Sequence, residues 1–557
     1  MAYLESGLVS LLVTFAVMPS LARLAVQLGI VDHPSARKQH ARPTPLCGGI
    51  AMACGAGLSL LLWAPSEGRT LQCLAAGLLV FVVGVYDDCR GLHFRWRLVS
   101  QVVAATLIVQ AGLTIEHVPL LRSHPGFDWL ALPLTLLFIV GVTNAVNLLD
   151  GLDGLAGGCM LLSFLAIAVI APTADAAPTA LVAAVAIGAL FGFLRFNTHR
   201  AMVFMGDAGS TLLGFALAVA GILLVREGNG TVSPILLLPV IGLPVVDTTQ
   251  VVIVRLLRGG SPFAADRSHL HHRLLGLGLH HREVVLVLYA VQALMIGTAL
   301  ILRDAPERTV LLVFTVQAVL AVLAIQVPTL LGWRYRTATD VQAEDEREEA
   351  GGFAAAPGVE RRNQWLRRLD WLPPFSSALI RIAVVVFILL GSIIPGEVPP
   401  ALAVAALLAA LLVLLEDRGM VAGGLAMSRL GAFAAALMAC QLMMQGYPPL
   451  ARMPSEWLLF GFGIALMSVL TIAVRVTRRQ VFPLSNQDGL AVLAALTVVG
   501  GVLGGVVPPA LGGPVIALTA LFYGCEFVFV RDPGQLRLVR LATVVSLIIV
   551  GTRGFLT

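Results

Sequence analysis

Residues 131–170 read ALPLTLLFIVGVTNAVNLLDGLDGLAGGCMLLSFLAIAVI. Two apolar runs, each long enough to cross a bilayer, flank a polar insert, NAVNLLDGLDGLAGG at 144–158. Asparagines and aspartates at the edge of a membrane are expensive to keep, so residues of this kind mark function by default. The apolar runs decide the fold, and the insert asks what the fold is for.

The surrounding chain has the same character. Of 557 residues, 58% are hydrophobic and 12% charged, and mean hydropathy is +0.90. A soluble domain carries roughly a quarter charged residues, so this one is too apolar to be soluble. Apolar runs of roughly 17 to 25 residues recur, and the period-two pattern of a membrane barrel is absent. The fold class is all-α, a polytopic helical membrane protein. Eleven spans are expected near 7–29, 48–64, 72–86, 98–113, 129–148, 155–171, 178–194, 208–225, 232–255, 284–302 and 309–330. Seven more are expected near 375–394, 400–415, 427–445, 456–475, 488–507, 512–530 and 537–554. The first helix, flanked by Glu5 and no basic residue, does not read as a cleavable signal.

Charge sets the orientation. Arg37, Lys38 and Arg42 follow the first span; Arg90, Arg95 and Arg97 the third; Arg195 and Arg200 the seventh; Arg255, Arg258, Arg267 and Arg273 the ninth. The opposite loops hold single arginines such as Arg69, Arg122 and Arg226. Basic loops stay cytoplasmic, which places the N-terminus outside a bacterial inner membrane and the insert inside. The net charge of +5 is then a signature of topology and of contact with membrane lipids, with no nucleic-acid signal. Seven cysteines (47, 54, 73, 89, 159, 440 and 525) form no CxxC pair, so neither a zinc site nor a disulfide framework is expected.

The one long polar stretch, 333–372, starts as an acidic linker and ends in VERRNQWLRRLDW, where Trp365, Leu366, Leu369 and Trp371 alternate with arginines. That pattern suits a helix lying on the inner leaflet. It divides the chain into a membrane domain at 1–332, a charged linker at 333–372 and a second membrane domain at 373–557.

The polar residues near membrane depth gather on the inner side. Asp87 and Asp88 end the third span. Asn144, Asn147, Asp150 and Asp153 end the fifth, and Asp207 in FMGDAGS starts the eighth. Asp266, His269, His271 and His272 follow the ninth, and Lys38 and His40 lie in the first inner loop. Singly these read as helix caps and satisfied loop residues; DGLDG in particular lacks the distal Glu of an EF-hand. Five clusters on one face read as one site. Carboxylates and amide oxygens without thiolates suit Mg²⁺ or Mn²⁺, and the basic residues beside them suit phosphate. N–H groups at the helix start after Asp207 would add anion affinity. The expected chemistry is magnesium-dependent phosphoryl transfer.

The order VDxPxxRKxHxxPTPxxGG, DDxxxL, NxxNxxDGxDGL, FMGDxGS and HxHHRL resembles the polyprenyl-phosphate N-acetylhexosamine-1-phosphate transferases over about residues 1–330. HLHHRL resembles the WecA-type branch; the peptidoglycan translocases of the family carry an unbroken triple-His motif. The resemblance implies transfer of a HexNAc-1-phosphate, GlcNAc-1-phosphate foremost, from a UDP-N-acetylhexosamine to undecaprenyl phosphate, releasing UMP and starting an envelope polysaccharide. It implies Asn147 and Asp207 as metal positions, Asp150 and Asp153 in the nucleotide pocket, and Asp87 and Asp88 at the acceptor phosphate. His269, His271, His272 and Arg255 would surround the sugar diphosphate, with Lys38 near the lipid phosphate, and Asn144 and His40 beside the substrates. Arg97 stands where the family pattern often has Lys. Lys38 is the single lysine against thirty-six arginines, and a compact ammonium is not interchangeable with a guanidinium.

The rival reading is a lipid-linked-sugar transporter or flippase. It requires ionisable residues near the bilayer midplane and broken helices, for which Asp247 and Arg381 are the candidates. A homodimer is among the assemblies the sequence allows.

Overall fold

The computed structural model describes residues 2–336 except 34–42, 116–118, 121–128, 199, 229, 260 and 262–267, and beyond them chiefly 372–393, 400–417 and 536–556. Residues 1–341 and 485–506 belong to one compact unit and residues 342–484 and 507–557 to another.

The first unit is a helical bundle. Its helices are α1 (Ala2–Leu28), α2 (Gly48–Trp63), α3 (Gly68–Arg90), α4 (Phe94–Gln110), α5 (Ala131–Leu149), α6 (Leu155–Ile170), α7 (Ala177–Asn197), α8 (Gly206–Glu227), α9 (Leu237–Val240), α10 (Gly242–Leu257), α11 (Leu270–Gly276), α12 (His281–Ile301) and α13 (Glu307–Leu330). A two-residue antiparallel ribbon, β1 (Val31–Asp32) with β2 (Thr44–Pro45), precedes α2. Among the described residues eight helices are long and apolar enough to cross a membrane unaided, so the chain is a multi-pass membrane protein. α2 and α4, expected as full spans, come to only 16 and 17 residues. At 1.5 Å per residue that falls a little short of a bilayer core of roughly 30 Å.

The expected ninth span is broken. The segments Pro234–Val240 and Gly242–Leu257 meet at 83°. Proline explains the break: Pro244 has no N–H to give to Val240 four residues back, so the helix cannot continue through it. In an apolar setting the orphaned groups need protein partners, and Gln292 of α12 supplies them. Its amide nitrogen donates to the Val240 carbonyl at 2.8 Å and its oxygen accepts the Leu243 N–H at 2.7 Å. Ser163 of α6 donates to the same carbonyl at 2.8 Å.

α6 and α8 form the centre, each 78% buried over its apolar window, against 17% for α13. α8 packs on α2, α3 and α5. A Cβ added to Gly84 of α3 would lie 2.6 Å from Ala208 Cα, and one on Gly49 of α2 would lie 2.6 Å from Gly209 Cα. Backbones that close let three helices converge on the first turn of α8. The preceding strand-like segment is pinned as well: Phe204 N–H donates to the Pro45 carbonyl, and the Gly48 and Gly49 N–H groups donate to Phe204 and Met205, all at 2.9 Å.

In the second unit α14 (Leu372–Ile393), α15 (Pro400–Asp417) and α16 (Leu536–Leu556) match three of the seven expected spans, and α16 packs against the other two. Arg553 donates to the Ser392 carbonyl at 2.7 Å. The four spans expected between residues 427 and 530 fall largely, and the interfacial helix at 361–371 wholly, outside the described residues.

The convergence on α8 has a testable consequence. Gly49→Val places side-chain atoms where Gly209 already sits, and overpacking of this kind costs about 1–3 kcal/mol. Gly57→Ala, on the same helix but facing open space, should gain stability by helix propensity. Thermal melts in detergent should move in opposite directions for the two variants.

Candidate active site

The site is built around the first turn of α8. Gly206 adopts φ +70°, a left-handed turn that a side chain resists. A Cβ there would also meet the Asp88 carboxylate. That carboxylate, from the last turn of α3, accepts the N–H of Asp207 at 2.7 Å and of Ala208 at 3.0 Å. Asp88 is thus a helix cap supplied from another helix, with its charge at the positive end of α8. The N–H groups expected to be open to an anion after Asp207 are therefore taken, the first two by Asp88.

Beside it, Asp207 meets α5 and α4. Asn147 Nδ2 donates to Asp207 Oδ1 at 2.6 Å and to Ser210 at 2.8 Å. The same residue's amide oxygen is the part available to a ligand. Arg97, in the first turn of α4, lies 2.8 Å from Asp207 Oδ2 and 3.1 Å from Asp87 Oδ2. Asp87 Oδ1 accepts the Leu92 N–H at 2.5 Å, which holds the tight α3–α4 turn, while buried Oδ2 has no aligned hydrogen bond. Two carboxylates share one guanidinium, so one negative charge is left over at this spot.

The DGLDG loop is fixed from two sides. The Gly154 N–H donates to Asn197 Oδ1 at 2.9 Å, and buried Tyr289 donates to the Gly154 carbonyl at 2.6 Å. Asn197 also donates to the Val203 carbonyl at 2.9 Å, which couples the loop to the FMGD segment. Asp153 accepts the Ala201 N–H at 3.0 Å. Asp150 follows α5, and its carboxyl is pushed up to about 8, first by burial and then by the negative charges of Asp207, Asp88 and Asp153. Asn144 faces elsewhere. Its amide donates to Gln101 of α4 at 2.5 Å and to the Val140 carbonyl, so it braces α5 against α4 rather than the loop beyond.

The histidine segment reaches the same loop. A Cβ on Gly151 would lie 2.7 Å from His271 Nε2, so that ring rests on the bare backbone of DGLDG. His271 is buried, and its ring pKa is lowered to about 3, first by burial and then by His272. It is neutral across the physiological range. The His271 ring is stacked with His269 at 5.6 Å and tilted against His272 at 4.2 Å. His269 Nδ1 sits 2.8 Å from the buried carboxylate of Asp247. Arg255 is buried on the last turn of α10.

The structure therefore joins Asp87, Asp88, Asn147 and Asp207 directly, and brings Asp150, Asp153 and the histidines around the adjoining loop. Lys38 and His40 lie outside the described residues, as does Asp266. Asp32 and Thr44, on either side of the stretch that holds Lys38 and His40, pair in the β-ribbon. Arg97, Asn197, Tyr289 and Asp247 are members that motif reading missed or assigned elsewhere. Asp247 and Tyr289 are polar or phenolic residues within otherwise apolar helices, which is a signal that could have raised them, whereas Arg97 and Asn197 lie in polar helix ends where nothing singles them out. Among the described residues no three His, Cys, Asp or Glu side chains form a closed metal cage.

Residues 70–225 match glycosyl transferase family 4. A probable undecaprenyl-phosphate N-acetylglucosaminyl 1-phosphate transferase of Bacillus subtilis is 33% identical over 301 residues, 54% of this chain and 84% of that one. A decaprenyl-phosphate N-acetylglucosaminephosphotransferase of Mycolicibacterium smegmatis is 33% identical over 362 residues, 58% and 88% of the two chains. An undecaprenyl-phosphate alpha-N-acetylglucosaminyl 1-phosphate transferase of Salmonella typhi is 33% identical over 327 residues, 56% and 87%.

Asp150 gives a pH signature. Its folded pKa of about 8 exceeds the ordinary 3.8, so the folded state binds this proton more tightly than the unfolded chain does. The associated stability is fully present below about pH 4 and is lost as pH rises through about 8. Asp150→Asn, which cannot ionise, should therefore melt progressively higher than the parent as pH rises from 5 to 8.5 without added divalent cation. A gap that does not widen would contradict the burial of this carboxyl.

Proposed function

The chain belongs to glycosyl transferase family 4, and on that premise we propose that it transfers N-acetylglucosamine-1-phosphate from UDP-N-acetylglucosamine to undecaprenyl phosphate. The site faces the cytoplasm of a bacterial inner membrane, and UMP is the second product. The observation that carries this reading is the convergence of Asp87, Arg97, Asn147 and Asp207 at the Asp88-capped start of α8, at the ends of membrane helices. A lipid phosphate and a water-soluble nucleotide can meet only at such a boundary.

The transfer needs no covalent intermediate. An oxygen of the lipid phosphate attacks the phosphorus that carries the sugar, and the bond from that phosphorus to the oxygen bridging the two phosphates breaks. UMP leaves with the bonding electrons. A phosphate monoester has its second pKa near 6, so the acceptor is already a dianion at neutral pH. The protein's tasks are alignment and charge neutralisation. Arg97 presents a guanidinium between Asp87 and Asp207 that can turn toward an arriving phosphate. Asp88 keeps α8 in place while the charges around it change. Asp150 and Asp153, on the loop held by Asn197 and Tyr289, frame the nucleotide. The histidines packed on Gly151 lie on the diphosphate side, and Lys38 and His40 in the first inner loop serve the lipid phosphate.

A Mg²⁺ or Mn²⁺ ion fits the donor set. The residual negative charge at Asp87 and Asp207, with the amide oxygen of Asn147, offers hard oxygen ligands. Mg²⁺ is commonly held by one or two carboxylates together with substrate phosphates rather than by an all-protein cage. Bound there it would neutralise phosphate charge as a Lewis acid.

The broken ninth span is a feature the transporter reading also requires, while Asp247, one of its two ionisable candidates, is paired with His269.

The test is UMP release by purified protein given undecaprenyl phosphate and a panel of UDP-sugars. UDP-N-acetylglucosamine should give the fastest release, EDTA should abolish it, and Mg²⁺ should restore it. Asp207→Asn should lower the rate on the order of a hundredfold or more, as loss of a key electrostatic group does. Undiminished turnover in chelator would sink the metal assignment.

The second membrane domain carries no motif of this chemistry. A chain ending near residue 340 should insert, run as a monodisperse species and retain UMP release. A monodisperse but inactive truncation would show that residues 373–557 contribute to the site.

A further inference from the structure

Asp247 lies in α10, and the transfer chemistry above makes no use of it. Its side chain is 2% exposed within an apolar helix, where an unpaired carboxylate would be very costly. Both of its oxygens are engaged with one short segment. Oδ2 lies 2.8 Å from Nδ1 of His269, and Oδ1 accepts the Leu270 N–H at 2.8 Å. Three residues along α10, on the same face, Gln250 donates to the Ser268 carbonyl at 2.9 Å. Two side chains of one helix thus grip three consecutive residues, 268, 269 and 270.

A cap alone does not require this. Ser, Thr or Asn at position 269 would cap α11 locally, without burying a carboxylate on a separate helix. A carboxylate only accepts, so the hydrogen on His269 stays at Nδ1 and Nε2 is left as the nitrogen that can meet a ligand. The gripped segment continues into His271, whose ring rests on Gly151 of the DGLDG loop. A shift at residues 268–270 would be felt directly at that loop.

We propose that Asp247 is a positioning residue for the transfer reaction, acting through His269, which it holds with Nε2 presented as a hydrogen-bond acceptor to the sugar hydroxyls of the sugar-nucleotide donor. The proposal rests on the transferase reading above and adds to it a residue outside the polar clusters read from the sequence. The pairing resembles in form the carboxylate–imidazole pairs that fix a ring's tautomer and orientation in hydrolases.

The experiment is a double-mutant cycle read by UMP release from UDP-N-acetylglucosamine and undecaprenyl phosphate. The variants are Asp247→Asn, His269→Gln and the two combined. Asn keeps an acceptor for Leu270 but no longer dictates which ring nitrogen carries hydrogen. Asp247→Asn should lower kcat on the order of tenfold to a hundredfold, the range seen when an orienting partner is lost. The KM for undecaprenyl phosphate should stay within about threefold, and the double variant should be no slower than His269→Gln alone. Asp247→Glu, which restores the carboxylate, should recover part of the rate. Activity of Asp247→Asn within about twofold of wild type would overturn the proposal, and so would losses that multiply in the double variant. Loss of a monodisperse profile by Asp247→Asn while His269→Gln keeps it would assign Asp247 to folding and overturn it equally. Wild-type protein that releases no UMP refutes the transferase reading itself, and this proposal with it; on active wild type only the positioning role is at stake.

Discussion

The hydrogen bonds from the Asp207 and Ala208 N–H groups to the Asp88 carboxylate set the position of everything else in the site. They tie the last turn of α3 to the first turn of α8, and they are possible only because Gly84 lets the two backbones touch. Once α8 starts at that point, Asp207 is delivered beside Asn147 of α5 and Arg97 of α4. Removing the cap would leave buried N–H groups unsatisfied. The turn that aims Asp207 would then have no anchor.

The same contact shows why a membrane protein keeps so much charge in one place. Each carboxylate here is satisfied by something different: Asp88 by backbone N–H groups, Asp87 by a turn and Arg97, Asp207 by an amide and the same guanidinium, and Asp247 by an imidazole and an N–H. None relies on water alone. The arrangement still leaves more negative than positive charge around Asp207, and that imbalance adds to burial in pushing the Asp150 carboxyl up to about 8. A cation or a bound basic group entering this space would relieve the repulsion. Substrate binding and ionisation of the pocket are thereby linked.

Much of the bundle was legible in the chain because an apolar run of sufficient length leaves the backbone one option in lipid, the helix. The site clusters were legible for the complementary reason, since polar residues at membrane depth stand out against 58% hydrophobic composition. What periodicity and motif order did not carry was pairing. Asn144 sits in the NAVN motif, yet its partner is Gln101 on another helix. Arg97 looked like a departure from the family pattern and proves to be the cation shared by two aspartates. Asp247 looked like a midplane charge because its partner, His269, lies 22 residues on, beyond the C-terminal end of α10, and hydropathy also smooths over the break in the ninth span. The break itself follows from Pro244, but only the position of Gln292 shows how it is tolerated.

These pairings change how the acidic motifs should be read. Adjacent aspartates such as Asp87 and Asp88 invite a common role, because sequence presents them as one unit. On a helix, neighbouring residues point about 100° apart, and here they do different things. Asp88 turns toward the backbone of α8 and holds architecture. Asp87 turns toward Arg97 and the space where phosphate would arrive. Loss of activity on replacing either residue would therefore look alike in an assay while having different causes, displacement of Asp207 in one case and altered charge at the reacting phosphates in the other. The distinction lies in geometry: a carboxylate whose two oxygens both accept backbone N–H groups is fixed in place by the fold, and only its remaining lone pairs are open to the reaction.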